Sequence, residues 1–423
     1  VSAVEEETRA PAPRRGRAAA ALMVLLGSLT AFGPLSLDMY LPALPQIADG
    51  FDVRDAQVQL SLTTCLVGMA LGQLIGGPLS DRWGRRRPVI AGTLAYAAAS
   101  LSCAVAPTAE ALAGVRLVQG LAGGVGVVVA RAVVRDLYAG RDAARYFSRL
   151  TLVFGLAPIA APAMGSAVLG VTSWRGIFVV LAGIGVLLAL GSARVLPETL
   201  PAGRRSPRGI RNLLGGARQV LRDRPYLGYA ATQGLAFAAL FAYIAGSSFV
   251  LQDVFGLSAG AYAVVFGVNA LGLVVVGQLN ARLLDRYSPR RLLITALCVA
   301  VTAGGLLIVA AARESLPGML GALFLFVSTI SMILPNGTAL ALDRHGRRAG
   351  TAAALLGFAQ AVIAAAAAPL VGLGGEGSAT PMAAAITAGA GLSLLAVLTL
   401  ARHRAGRHRK TDHFAMEVTR HAA

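Results

Sequence analysis

Charge is scarce in this chain. Asp, Glu, Lys and Arg make up 14% of its 423 residues, while 56% are hydrophobic. Soluble domains carry roughly a quarter charged residues, so a water-facing surface along the whole chain is excluded. Cysteine is rarer still: Cys65, Cys103 and Cys298 each sit alone in an apolar stretch. Without a Cys-x-x-Cys spacing they point to a reduced, structural role and away from a redox or zinc centre. All five histidines (His345, His403, His408, His413 and His421) fall outside the apolar stretches. A haem or an intramembrane metalloprotease would need ligands at membrane depth, and none is offered there. DDxxD, HExxH and GxSxG-with-His patterns are missing as well, so no enzyme activity, metal or cofactor is expected.

What the chain has in quantity is apolar sequence. Twelve runs are long enough to span a bilayer: 21–43, 58–80, 88–106, 109–133, 150–171, 176–196, 226–250, 258–281, 291–311, 317–341, 349–373 and 381–401. The first is too long for a secretory signal and lacks a small-residue cleavage site, so it reads as a spanning helix. Basic residues divide sharply between alternate connections. Of 38 Lys and Arg, only Arg54, Arg175 and Arg313 lie on one side, and only Arg116 and Arg131 lie within a run. The rest crowd the other side, which the positive-inside rule makes cytoplasmic, together with both termini. The net charge of +18 therefore marks orientation in a cell membrane, not a nucleic-acid site.

The runs fall into two sets of six. A tail (1–20) precedes the first half (21–196), a basic linker (197–224) follows it, and the second half (225–401) ends in a basic tail (402–423). An internal repeat relates the halves. "GGPLSDRWGRRRP" (76–88) follows the second run and "NARLLDRYSPRRL" (280–292) follows the eighth. Aligned on Asp81 and Asp285, Arg82 matches Arg286, Trp83 matches Tyr287, and Arg86 and Arg87 match Arg290 and Arg291. An all-α polytopic protein of twelve helices in two similarly oriented halves is expected, with a binding site between them.

These motifs resemble a known family. Residues 77–86, "GPLSDRWGRR", match the Gly-x-x-x-Asp-Arg-x-Gly-Arg-Arg loop of the major facilitator superfamily at every fixed position. "LDMYLPALP" (37–45) is similar to the first helix of its Bcr/CflA branch of drug:proton antiporters, and "PNGTALAL" (335–342) and "AGTAAALLGFAQ" (349–360) resemble later helices of that branch. "WRGIF" (174–178) and "PETL" (197–200) are supporting cues. The resemblance implies a conformational latch at Gly77, Asp81, Arg82, Gly84, Arg85 and Arg86, with a weaker second copy at Asp285 and Arg286, where Ala281 and Ser288 replace the glycines. "RLVQG" (116–120) resembles the helix-four motif of proton-coupled members, which gives Arg116 a coupling role; the alternative is a guanidinium that snorkels outward. Arg131, nearer the basic end, is open to either role. "GLAPIAAPAMG" resembles the antiporter helix through Gly155, Pro158, Pro162 and Gly165, and favours export over uptake.

Asp38 is the one acid inside an apolar run and away from its ends. Burying a carboxylate in a bilayer is costly, about 2.5–3.5 kcal/mol at a helix centre on insertion scales, so such an acid is by default a functional group. Proton coupling is the expected role, with permanent capping by backbone N–H groups near Pro34 and Pro42 as the alternative. Some related pumps carry a second acid two turns earlier, where this chain has Thr30. Tyr40, Phe237, Phe241, Tyr243, Asn269, Asn336 and Gln360 are candidates for an apolar cavity with a few polar groups. The function implied is proton-driven export of a hydrophobic drug, bicyclomycin- or chloramphenicol-like, by a monomer in a bacterial inner membrane. An endogenous metabolite is the alternative cargo.

Overall fold

The computed structural model describes residues 17–138, 140–205, 217–343, 345, 349–372 and 377–401. The expected tails at 1–16 and 402–423 lie outside the described residues, as does the middle of the basic linker. Twelve helical spans follow one another: α1 Arg17–Phe51, α2 Asp55–Trp83, α3 Arg86–Ala104, α4 Ala109–Leu137, α5 Gly140–Leu169, α6 Trp174–Val195, α7 Arg224–Val254, α8 Ala259–Leu283, α9 Pro289–Ala312, α10 Leu316–Leu342, α11 Ala349–Gly372 and α12 Thr380–Thr399. Among the described residues, nine of these are long and apolar enough to cross a membrane; α3, α5 and α11 complete the set, the last two with shorter apolar stretches at Leu156–Leu169 and Gly350–Ala366.

Packing repeats between the halves. In the first, α2 lies on α4, and α3 on both α4 and α6; in the second, α8 lies on α10, and α9 on both α10 and α12. The halves meet along α2 with α11 and along α5 with α8. The α2–α4 contact depends on glycine. A Cβ at Gly68, Gly72, Gly120 or Gly124 would strike the backbone of the facing helix, so the two rods approach as closely as small-residue stripes allow in membranes.

Two spans are irregular, and both irregularities lie at the interface between halves. Proline interrupts α1: helix Phe32–Asp38 stops, a 3₁₀ turn covers Leu41–Ala43 with Pro42 in its first turn, and Leu44–Phe51 resumes with Pro45 near its start. Proline removes an amide donor and clashes with the preceding turn, so three within twelve residues break the rod. The outer end of α7 widens into a π-helix at Val250–Val254. The two ends are joined there: Ser248 Oγ donates to the Leu41 carbonyl at 2.6 Å and Gln252 Nε2 to the Pro42 carbonyl at 3.2 Å. Both of these hydrogen bonds cross between the halves, at the end opposite the basic loops.

The linker is less free than its composition implies. Leu196, Thr199, Leu200 and Val220 are all buried, so both of its described ends pack onto the bundle.

Candidate functional site

Asp38 closes the helix Phe32–Asp38, where the α1 backbone breaks. Its side chain is buried, with 6% of its surface exposed, and among the described residues no hydrogen bond or ion pair reaches its carboxylate. The alternative of permanent capping by backbone amides therefore lacks support in the geometry. The second half supplies its polar surroundings. Tyr243 of α7 and Tyr262 of α8 lie within electrostatic reach of Asp38. Asn269 Nδ2 donates to the Tyr243 hydroxyl oxygen at 3.0 Å, which leaves the phenol O–H free to donate elsewhere. Phe266 stacks on Tyr243 at 5.6 Å between ring centroids, and Tyr262 shares a 3.3 Å hydrogen bond with Ser247.

Two of the cavity candidates thus come together near the acid, Tyr243 and Asn269. The others separate. Tyr40 and Phe241 are fully buried, and Asn336 donates to Asn280 Oδ1 and the Met332 carbonyl, both at 2.8 Å, as a bond between α8 and α10. Gln360 donates to Gln233 Oε1 at 3.1 Å, and Gln233 in turn holds the Leu334 carbonyl and Thr338. Phe237 and Gln360 keep partly accessible side chains. Tyr262, Gln233 and Asn280 escaped the sequence analysis. A signal existed for one of them: Tyr262 stands two turns before Asn269, on the same face of α8.

Arg116 is completely buried, seven residues into α4, so it does not snorkel. Its guanidinium lies 4.6 Å from the Tyr40 ring centroid and 5.7 Å from that of Phe178. Nη1 donates to Gln119 Oε1 at 2.7 Å, and Gln119 Nε2 continues to Ser100 at 2.7 Å. Nε and Nη2 find no acceptor among the described residues, and no ion pair joins Arg116 to Asp38. The link between them runs through Tyr40, two residues beyond the acid, whose hydroxyl bonds Ser61 of α2. Cation–π contact is worth about 2 kcal/mol when desolvated, less than a buried guanidinium forfeits by lacking a carboxylate. Arg131, by contrast, is exposed.

The antiporter-like helix touches the same break. A Cβ on Gly165 would fall on the Met39 carbonyl oxygen, so the bare glycine is what admits α5 against α1 beside Asp38. Pro158 and Pro162 lie inside α5, Pro162 buried; Gly155 lies in the same helix, with its surroundings outside the described residues. Gly165→Ala is expected to lower the thermal unfolding midpoint clearly in detergent, because rigid backbone must move. Overpacking of this kind costs typically about 1–3 kcal/mol. A midpoint equal to wild type would show that α1 and α5 part freely.

At the basic end, Arg85 is the hub of a buried cluster. It donates to Asp81 Oδ1 at 2.6 Å, Asp136 Oδ2 at 2.8 Å and Ser80 Oγ at 2.7 Å. Burial opposes the charge, but the Asp136 and Asp81 carboxylates outweigh it and hold the guanidinium protonated, raised above its ordinary pKa. Thr199 donates to Asp136 Oδ2 at 3.0 Å. Glu198 accepts from the Arg85 and Arg86 amides at 2.8 and 3.4 Å, so it caps the start of α3. Gly84, at φ 87° and against Glu198, has no room for a side chain. Arg86 reaches the Ala193 carbonyl, Arg82 is exposed, and Gly77 lies in the last turns of α2.

Asp136, Glu198 and Thr199 are not among the expected latch residues, although "PETL" contains two of them. The second copy is not knitted in this way: Asp285 and Arg286 are exposed, and Pro289 stands where the repeat has Arg85. Side-chain exposure is 40% for Asp81 and 10% for Asp136. Asp136→Asn is therefore expected to destabilise the protein more than Asp81→Asn, and both more than Asp285→Asn. Thermal unfolding of the three variants checks the order; equal midpoints would remove the cluster's stabilising role.

Comparison with known proteins came to one answer. The family model described as Major Facilitator Superfamily matches residues 24–369. YdgK of Bacillus subtilis (strain 168), named an uncharacterized MFS-type transporter, is 37% identical over 399 residues, covering 93% of this chain and 98% of its own. A bicyclomycin resistance protein homolog of Haemophilus influenzae is 31% identical over 376 residues, covering 88% of this chain and 94% of its own. Among solved structures, a bacterial homolog of the human lysosomal transporter Spinster, inward-facing and unoccupied, superposes with a TM-score of 0.75 at 16% identity over 92% of this chain and 98% of its own.

Proposed function

Since the chain belongs to the major facilitator superfamily, and within it to the Bcr/CflA branch, we propose that this multi-pass membrane transporter is a proton-coupled exporter of hydrophobic drugs. The observation that carries the proposal is Asp38: a buried acid at a break in α1, without a hydrogen bond or ion pair among the described residues and within electrostatic reach of two phenols of the other half. A carboxylate so placed gains or loses a proton as its surroundings change, and its surroundings change when the halves rock. Hydrogen bonds from α7 to the broken part of α1 close the end opposite the basic loops, which fits a state open towards the basic side. In that state Asp38 releases its proton inward and the drug enters between the halves. Arg116 supports the cycle indirectly, holding the Tyr40 ring and with it the α1 break. The cluster around Arg85 keeps α2, α3, α4 and the exit of α6 moving as one body, which is how a latch at the basic end would act.

The relative named for bicyclomycin resistance supports the cargo class, and a single deep acid needed for the proton leaves none to pair with a cationic drug. The distribution of basic residues supports cytoplasmic termini in a bacterial inner membrane, and the reading takes a monomer as the working unit. A susceptibility panel in a pump-deleted host, with and without the gene, tests the proposal. Raised tolerance to bicyclomycin or chloramphenicol, abolished by a protonophore, is expected. Unchanged tolerance across the panel, with proton-driven export of a metabolite instead, would replace the drug as cargo.

Partly accessible Phe237 and Gln360 are the residues expected to touch the drug. Phe237→Ala should weaken binding by about tenfold, the effect of losing one aromatic contact worth roughly 1.4 kcal/mol. Equilibrium binding in detergent checks this, and an unchanged Kd would take α7 out of the site.

A further inference from the structure

The two copies of the repeat finish differently, and the difference leaves a basic corner open. In the first copy Arg85 and Arg86 are spent on Asp81, Asp136 and the Ala193 carbonyl, while Glu198 caps α3. In the second copy Pro289 replaces the hub, and the cap on α9 is the neutral Ser288 hydroxyl, which accepts from the Arg291 amide at 3.4 Å. Among the described residues no carboxylate lies within ion-pair distance of Arg282, Arg286, Arg290 or Arg291. Arg290 and Asp343 both lie near the Tyr229 hydroxyl, and Asp285 is exposed, so some opposing charge is close, but Arg282, Arg286 and Arg291 point outward.

Two apolar features adjoin these guanidinium groups. Tyr287 is 40% exposed and carries the Arg291 guanidinium 5.0 Å from its ring centroid. Along α8, Val264, Val268, Leu271, Val275 and Leu279 are all exposed, and their three- and four-residue spacing sets them on one face. Arg282, also exposed, is the next residue on that line. On a membrane-spanning helix such a stripe faces acyl chains, and its end lies at the depth of the headgroups.

We infer that the α8–α9 corner binds the phosphate of an anionic membrane phospholipid, with Arg286 and Arg291 on the phosphate, Tyr287 at the headgroup boundary and the acyl chains along the α8 stripe. Guanidinium matches phosphate with paired, charge-assisted hydrogen bonds, and a tyrosine is most stable where one end is wet and the other apolar. Arg82 and Arg87 of the first copy are exposed too, but three carboxylates share their corner, so it holds an anion less well.

Native mass spectrometry of the full chain, offered phosphatidylglycerol and phosphatidylcholine in equal amounts, tests the assignment. Wild type should retain phosphatidylglycerol preferentially. Arg286→Gln with Arg291→Gln should cut that retention roughly thirtyfold, the effect of two basic residues at a charged membrane surface. Arg82→Gln with Arg87→Gln should leave most of it, and Tyr287→Ala alone should lower it with the arginines in place. No lipid preference in wild type, or equal losses from the two arginine pairs, would overturn the site. Displacement of the lipid by deacylated glycerophosphoglycerol at matched concentration would do the same, since the acyl stripe would then contribute nothing.

Discussion

Asp38→Asn is expected to abolish proton-driven efflux while the protein still inserts, folds and binds drug. Asparagine keeps the volume and can still accept a hydrogen bond, so the packing of a 6%-exposed side chain is preserved. Only the exchangeable proton is lost. The substitution also removes the penalty of placing an ionisable group at membrane depth, so stability should be unchanged or slightly higher. Loss should be near complete, because no other acid lies deep in a span to take over. Efflux of a fluorescent substrate from energised cells is the measurement, with binding in detergent as the control for folding. Wild-type efflux in the variant would sink the coupling role of Asp38. The companion variant is Arg116→Ala. With no ion pair between Arg116 and Asp38, it should act through Tyr40. Tyr40→Phe, which keeps the ring and drops the hydroxyl bond to Ser61, should then be milder than Arg116→Ala.

The largest loss of stability is expected from Arg85→Ala. Removing it strands the Asp136 carboxylate, whose side chain is only 10% exposed, while the half-exposed Asp81 stays hydrated and Ser80 keeps its bond to the Gly77 carbonyl. Breaking a buried ion pair by deleting one partner costs about 3–5 kcal/mol, since the remaining charge keeps its desolvation penalty without its compensation. Arg85→Lys should recover only part of this: an ammonium is a point charge and does not span two carboxylates as the planar fork does. Arg85→Met combined with Asp136→Asn should recover more than Arg85→Met alone, because the stranded charge is then removed as well. Thermal unfolding in detergent decides the series. A double variant no more stable than Arg85→Met would mean that packing, not charge, holds the cluster.

Much of this was legible in the order of residues. Apolar runs twenty residues long have one stable form in a bilayer, because every backbone amide must be satisfied within the segment. Counting them, and weighing the basic loops, was enough for twelve spans in two halves, as the Asp81 and Asp285 repeats already required. Asp38 stood out for the same physical reason: a lone acid in hydrocarbon is too costly to be incidental. Gly165 and Gly84 were marked by motif, although what each makes room for was not.

What the linear order left undecided is which polar groups use one another. Asn336 looks in sequence like a cavity residue, yet in the fold it is buried against Asn280, because helix rotation, invisible in composition, decides which way each amide points. Arg116 and Asp38 are both buried within spans, yet no ion pair joins them: Asp38 lies within electrostatic reach of Tyr243 and Tyr262, while the Arg116 guanidinium lies against the Tyr40 ring. The hub at Arg85 depends on Asp136 and Glu198, 51 and 113 residues away in the chain. Spans follow from the solvent each segment can tolerate, a property of local sequence. Partnerships among buried polar groups follow from which faces meet, and only the packed tertiary structure sets those.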